Sequence, residues 1–150
     1  MKPQTNSKVL LHKEAALDNL DTLAKEILSY LPNSAIVLLN GNLAAGKTTL
    51  VAKIVEVLNI NSTIATSPTF SLQQCYGDRV FHYDFYRINF NEVINLGLLE
   101  EFEKDGYHFI EWANKELVEI LIDAGFKIFD ITIKATNHNK REYILEVINA

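Results

Sequence analysis

The sequence predicts an α/β sandwich around a mainly parallel central sheet with antiparallel additions. Two observations carry that expectation. Hydrophobic spacing alternates between helical and strand-like periods along the chain, and one continuous apolar strand runs directly into a glycine-rich turn that opens a helix. At 150 residues, 48% hydrophobic and 22% charged, the chain reads as one domain spanning residues 1–150 with a sizeable core.

Leu17, Leu20, Ala24, Ile27, Leu28 and Leu31 recur every three or four residues, which predicts an amphipathic helix over 14–30 stopped by Pro32. Ala35 to Leu39 is an unbroken branched apolar run, the pattern of a strand buried on both faces of a parallel sheet. A second helix is expected from Lys47 to about Leu58. Residues 69–76 and 79–87 read as strands around Gly77-Asp78, a turn-forming pair. Within the second, alternation sets Phe81, Tyr83 and Phe85 on one face and His82, Asp84 and Tyr86 on the other. Short helix or turn follows, then a strand at Tyr107 to Ile110 and a helix over 114–122 before Gly125. Lys127 to Thr136 and Arg141 to Ile148 alternate as strands around a hairpin loop at residues 137–140.

Charge restricts function. Fourteen Lys and Arg against 19 Asp and Glu give −5, the wrong sign for unaided nucleic-acid binding. Residues 91–123 alone hold nine acids and two lysines, either a solvated helical face or a docking surface for a basic partner. The single cysteine, Cys75, excludes an internal disulfide and fits a small buried apolar residue. With no apolar run of membrane-spanning length and no signal-like N-terminus, a soluble cytoplasmic protein is expected.

The chemistry is concentrated in Gly41-Asn42-Leu43-Ala44-Ala45-Gly46-Lys47-Thr48-Thr49, which satisfies G-x-x-x-x-G-K-[ST] between a strand and a helix. Gly41 and Gly46 permit backbone N–H groups to turn toward phosphate oxygens; Lys47 neutralises the outer phosphates and Thr48 offers a hydroxyl to Mg²⁺. A nucleoside polyphosphate such as ATP is the expected ligand, on a P-loop NTPase-like three-layer sandwich. Phosphoryl transfer also requires acids for the metal and the attacking group. Glu111 ends an apolar strand, where α/β sheets converge on their ligands. Asp84 sits among aromatics, where an unpaired carboxylate is costly to bury, so it is expected at the metal, with a salt bridge to Arg87 as the alternative. His82 shares Asp84's face and reads first as a hydrogen-bonded structural residue. Thr66-Ser67-Pro68-Thr69 is a plain turn or a nucleotide-sensing switch, and Trp112 reads as core or cover.

These residues carry a family resemblance. The loop from Gly41 to Thr49, then Thr66-Ser67-Pro68-Thr69-Phe70, His82-Tyr83-Asp84-Phe85-Tyr86-Arg87, Leu96-Gly97-Leu98 and Ile110-Glu111-Trp112 occur in the order that resembles the TsaE (YjeE) family of bacterial ATPases. The resemblance implies an ATPase acting with TsaB and TsaD to form threonylcarbamoyladenosine beside the tRNA anticodon, with hydrolysis resetting that complex and tRNA met only through it. It also implies that Lys47 and the loop amides hold phosphates, that Thr48, Glu111 and Asp84 lie at Mg²⁺, and that Trp112 is functionally sensitive. The loop departs from the family's common G-D-L-G-A-G-K-T at Asn42 and Ala44.

Rival readings remain. Asn114-Lys115-Glu116-Leu117 starts like the guanine-reading N-K-x-D motif but lacks its acid. A small-molecule kinase normally brings several arginines to the phosphoryl group, and this chain has only Arg79, Arg87 and Arg141. A nucleotide-dependent binding module is the third rival.

Overall fold

The structure, a computed structural model, describes residues 6–42, 46–60, 64–66, 72–137 and 139–150. Eight strands form one sheet: β1 (Lys8–Ala16), β2 (Ala35–Asn40), β3 (Ile64–Thr66), β4 (Gln73–Tyr76), β5 (Val80–Asp84), β6 (Tyr107–Glu111), β7 (Ile128–Ala135) and β8 (Lys140–Val147). Their spatial order is β1-β8-β7-β2-β6-β5-β4-β3. The central four, β7, β2, β6 and β5, are parallel, and an antiparallel pair flanks them on each side. The expected parallel core with antiparallel additions is therefore observed.

Helices α1 (Leu20–Tyr30) and α2 (Lys47–Val57) cover one face; α3 (Phe90–Asn95), the 3₁₀ segment Leu98–Glu103 and α4 (Lys115–Asp123) cover the other. Two cores result. Leu20, Leu23 and Ile27 of α1 and Leu50 and Ile54 of α2 pack on Val37, Leu39, Phe109 and Ile131, while Val93, Leu98, Phe102, Leu117 and Leu121 pack on Ile36, Leu38, Tyr83 and Ile110. Successive β2 residues serve opposite cores, which is why that strand has no polar alternation.

The first helix is shorter than its spacing predicts. Residues 14–16 belong to β1, a strand the periodicity missed, and α1 begins only at Leu20 after a 3₁₀ turn over Leu17–Asn19. The reason is a long-range ladder: Glu14, Ala15 and Ala16 pair with Glu142, Arg141 and Lys140 of β8. Glu14 opposite Glu142 would repel, but Lys140 reaches Glu14 at 3.8 Å and His12 reaches Glu142 at 3.2 Å. At the other end Leu31 is already extended, as the residue before Pro32 must be.

The two middle strands are also shorter than predicted. β4 starts at Gln73; residues 69–71 lie outside the described residues. β5 stops at Asp84 because its carboxylate accepts a hydrogen bond from the Tyr86 N–H at 3.0 Å, closing a turn that carries Arg87 to φ 64°. The Gly77-Asp78 turn is as expected, whereas β3, the outermost strand, was not anticipated. Gly106, just before β6, is required sterically: a Cβ there would lie 2.4 Å from the Arg79 carbonyl oxygen.

Candidate active site

The carboxyl ends of β2, β6 and β5 meet at the N-terminus of α2. Gly46 caps that helix at φ 99°, a left-handed conformation that strains any residue with a Cβ, and its carbonyl accepts the Leu50 N–H at 3.0 Å. The free N–H groups of an 11-residue helix thus open toward the strand ends. Gly41 and Asn42 lead out of β2; Leu43, Ala44 and Ala45 lie outside the described residues.

Lys47 is only 3% exposed. Its Nζ donates to the Gly41 carbonyl at 3.0 Å, lies 3.6 Å from Glu111 Oε1, and stands 4.3 Å from the centre of the Trp112 ring. Three partners therefore hold the ammonium in place. Trp112 is itself at φ 59° and partly exposed, tilted against Tyr86 with ring centres 5.0 Å apart. It is thus a cover over the lysine, half of the reading its sequence position suggested.

Glu111, the last residue of β6, is buried. Parallel pairing sets it beside Asp84 and opposite Leu39, all on the sheet face that α2 covers. His82 lies on that face too, and its Nε2 is 2.5 Å from Glu111 Oε2. The Thr48 hydroxyl donates to the same oxygen at 3.5 Å. Burial pushes the Glu111 carboxyl up, but the His82 hydrogen bond and the charge of Lys47 outweigh it and hold the group below the usual glutamate range. The site keeps an anion.

Asp84 stands differently from its sequence expectation. It is exposed rather than buried among its aromatic neighbours, because Phe81, Tyr83 and Phe85 turn to the opposite core. Among the described residues it makes no ion pair with Arg87, whose guanidinium lies 5.0 Å from the Tyr86 ring centre. It borders a cavity of about 460 Å³ that Thr48, Leu72, Gln74, His82, Tyr86 and Glu111 also line.

Three of the donors around that cavity fit magnesium: the Thr48 hydroxyl and the carboxylates of Asp84 and Glu111 are hard oxygens. Among the described residues no group of three or more His, Cys, Asp or Glu is placed to hold a metal by itself, so an ion here would complete its shell with water or substrate oxygens, as Mg²⁺ commonly does. On the far side of α2's first turn a second cavity of about 780 Å³ touches Gly46 and Thr49 and is bordered by Ala16, Asp18, Asn139, Lys140 and Arg141. Nothing local marks these residues, since β1 and the β7–β8 hairpin reach the loop only through the sheet order. A Cβ on Gly46 would lie 3.9 Å from Arg141 Nε.

The structure gives several sequence candidates other places. Asn114 caps α4, its Oδ1 accepting the Leu117 N–H at 2.8 Å, and Leu117 is fully buried, so the N-K-x-L stretch is a helix start. Thr66 ends β3, while Ser67, Pro68 and Thr69 lie outside the described residues. The acidic run is not one surface: Glu111 faces the site and Glu101 is held inside by Gln73 and Lys104, at 3.0 and 2.8 Å, while Glu92 completes the capping box of α3.

Fold and loop together define the class of P-loop NTPase-like proteins. Comparison with known proteins narrows this to one family. The family model "Threonylcarbamoyl adenosine biosynthesis protein TsaE" matches residues 14–143. Relatives named tRNA threonylcarbamoyladenosine biosynthesis protein TsaE include that of Rickettsia bellii, 32% identical over 140 residues, covering 91% of this chain and 92% of the relative. Another, from Bacillus subtilis, is 33% identical over 138 residues and covers 85% of each. Among solved structures, the crystal structure of Bacillus subtilis YdiB matches with a TM-score of 0.64 at 24% identity, covering 97% of this chain and 88% of that one, and so shares the fold. The chain belongs to the TsaE family. Among the described residues no helix is long and apolar enough to cross a membrane.

Proposed function

We propose that the protein is a Mg²⁺-dependent ATPase that serves threonylcarbamoyladenosine formation on tRNA by resetting a TsaB–TsaD complex. The observation that carries the reading is the convergence of Lys47, Thr48, Glu111 and Asp84 on one crevice at the start of α2. ATP would lie across that helix start. Its base and ribose take the cavity beside Gly46 and Thr49, and its outer phosphates point toward Thr48 and Glu111.

Lys47 exchanges the Gly41 carbonyl for the outer phosphates, the stronger acceptor because it is charged. Mg²⁺, when bound, draws charge from the terminal phosphate oxygens. Glu111, kept ionised, takes its place beside Thr48 and orients the attacking water by accepting its proton in a hydrogen bond. Asp84, which lines the same cavity, would help Thr48 and Glu111 to hold the ion. In the family's terms TsaB and TsaD complete the site and carry the tRNA, and an acidic chain of −5 has no need to bind RNA itself.

Phosphate release from ATP, measured with and without TsaB and TsaD, tests this. Turnover should rise with the partners, exceed that with GTP, and fall about 100-fold in Lys47→Ala, the typical effect of losing one charge-stabilising donor. Equal turnover of both nucleotides, unmoved by partners or by that substitution, would overturn the reading.

A further inference from the structure

His82 is buried at 6% exposure in the middle of β5, and it is not part of the phosphate loop or of the oxygen set suited to magnesium. Its Nε2 contacts Glu111 Oε2 at 2.5 Å, a charge-assisted hydrogen bond at the short end of the range. Its Nδ1 is buried without a partner, one of two such side-chain atoms among the described residues. With nothing to accept from Nδ1 and a carboxylate beside Nε2, the ring proton finds its acceptor on the Nε2 side. The geometry therefore selects the Nε2–H tautomer, donating to the carboxylate.

Glu111 needs such a donor. Its Oε1 faces Lys47 at 3.6 Å, and the Thr48 hydroxyl reaches Oε2 at 3.5 Å, so among the described residues His82 makes the shortest contact holding the carboxylate's rotation. The contact depends on sheet register: Asp84 pairs with Glu111 across β5 and β6, which puts His82, two residues back on the same face, diagonally across from the carboxylate.

We propose that His82 is a positioning residue for Glu111, its Nε2–H holding Oε2 so that the carboxylate keeps the orientation in which Oε1 meets Lys47 and the group borders the oxygen-lined cavity. This rests on the ATPase reading for its kinetic part, not for its structural part. Partners of this kind change metal affinity or activity by about 10- to 100-fold.

The test uses the full chain with His82→Leu, which keeps bulk without a donor, and His82→Gln, whose amide reaches toward the Nε2 position. Long-range ¹H–¹⁵N spectra of the nucleotide-free wild type, with His82 assigned from its absence in the variants, should show the Nε2–H tautomer; an Nδ1–H tautomer overturns the proposal whether or not ATP binds. ATP affinity is then measured in EDTA and in Mg²⁺, and turnover with TsaB and TsaD. His82→Leu should match wild type in EDTA, lose about 10- to 100-fold of the Mg²⁺-dependent gain or of kcat, and leave KM little changed, while His82→Gln recovers most of the loss. Folded variants, checked by circular dichroism, in which Leu behaves as wild type or Gln as poorly as Leu would overturn it. If His82→Leu does not fold, His82→Asn, whose amide stops short, takes its place with the same expected split from Gln. A wild type that binds no ATP defeats the ATPase reading, and the tautomer still decides the contact.

Discussion

Replacing Glu111 by glutamine isolates the charge pair at the centre of the site. Both partners are buried, Lys47 at 3% and Glu111 at 6%, and Nζ and Oε1 are 3.6 Å apart. The amide can still accept from His82 Nε2–H, so the principal loss is the counter-charge of Lys47. Removing one partner of a buried pair typically costs 3–5 kcal/mol; with the Gly41 carbonyl and the Trp112 ring still beside the ammonium, the lower end, about 3 kcal/mol, is expected. For a chain of this size that corresponds to a Tm about 6–12 °C lower. Phosphate oxygens supply the missing anion, so ATP in EDTA should raise the Tm of Glu111→Gln by more than it raises that of wild type. Differential scanning calorimetry of wild type, Glu111→Gln, Lys47→Met and the double variant reads both effects. The double variant should be more stable than the sum of the singles by at least about 1 kcal/mol. A Glu111→Gln Tm within about 1 °C of wild type, together with additive singles, would refute the idea that this pair is what the nucleotide replaces.

Two further outcomes follow from other residues. Burial pushes the Asp130 carboxyl up to about 6, with the Glu146 charge adding to it, while hydrogen bonds from Thr132 and Asn40 hold it down. The folded state then binds this proton more tightly than the unfolded chain, so stability falls as pH rises from about 3.8 to about 6 by up to about 3 kcal/mol. Urea midpoints across that range should show the fall, and Asp130→Asn should lack it; parallel curves for the two proteins would contradict the assignment. Trp112 is the single tryptophan and sits 4.3 Å from Lys47 Nζ, so its emission should change when ATP draws the lysine away. Unchanged emission at a nucleotide concentration that calorimetry shows to be saturating would mean that Lys47 never leaves the ring.

Where the chemistry is local in sequence, the chain is readable. The strand, turn and helix of the phosphate loop lie within 23 consecutive residues, 35–57, and each part has a local cause: branched apolar residues in β2, a left-handed glycine at the helix cap, and Lys47 and Thr48 in the first turn. Strand alternation likewise suffices to put His82 on Asp84's face, because the period of two needs no distant partner. Long-range pairing is where reading fails. Residues 14–16, at the edge of a helical pattern, are strand because β8, more than 120 residues later, offers them a ladder. Arg141 reaches Gly46 by the same route, and no signal near either residue announces the other. The burial of Glu111 against the exposure of Asp84 is of this kind too: Glu111 pairs with Leu39 of β2 on one side and Asp84 on the other, whereas Asp84 lies beyond Tyr83, the last β5 residue in register with β4.

The charge balance of the site explains why metal and nucleotide belong together in this reading. At the cavity Lys47 offsets Glu111, leaving Asp84 as the surplus anion. A triphosphate brought alone to that cavity meets net negative charge from the described side chains lining it, opposed there by one lysine already shared and by the partial charge at the start of α2. A divalent ion between Thr48, the carboxylates and the outer phosphates removes the conflict and releases Lys47 from its double duty. The overall −5 is then no obstacle, because screening confines distant charges and most of the acidic run from 91 to 123 lies on the opposite face of the sheet. What decides binding is the handful of charges within one hydrogen bond of the loop, and those are arranged to bind the nucleotide more tightly with its cation than without it.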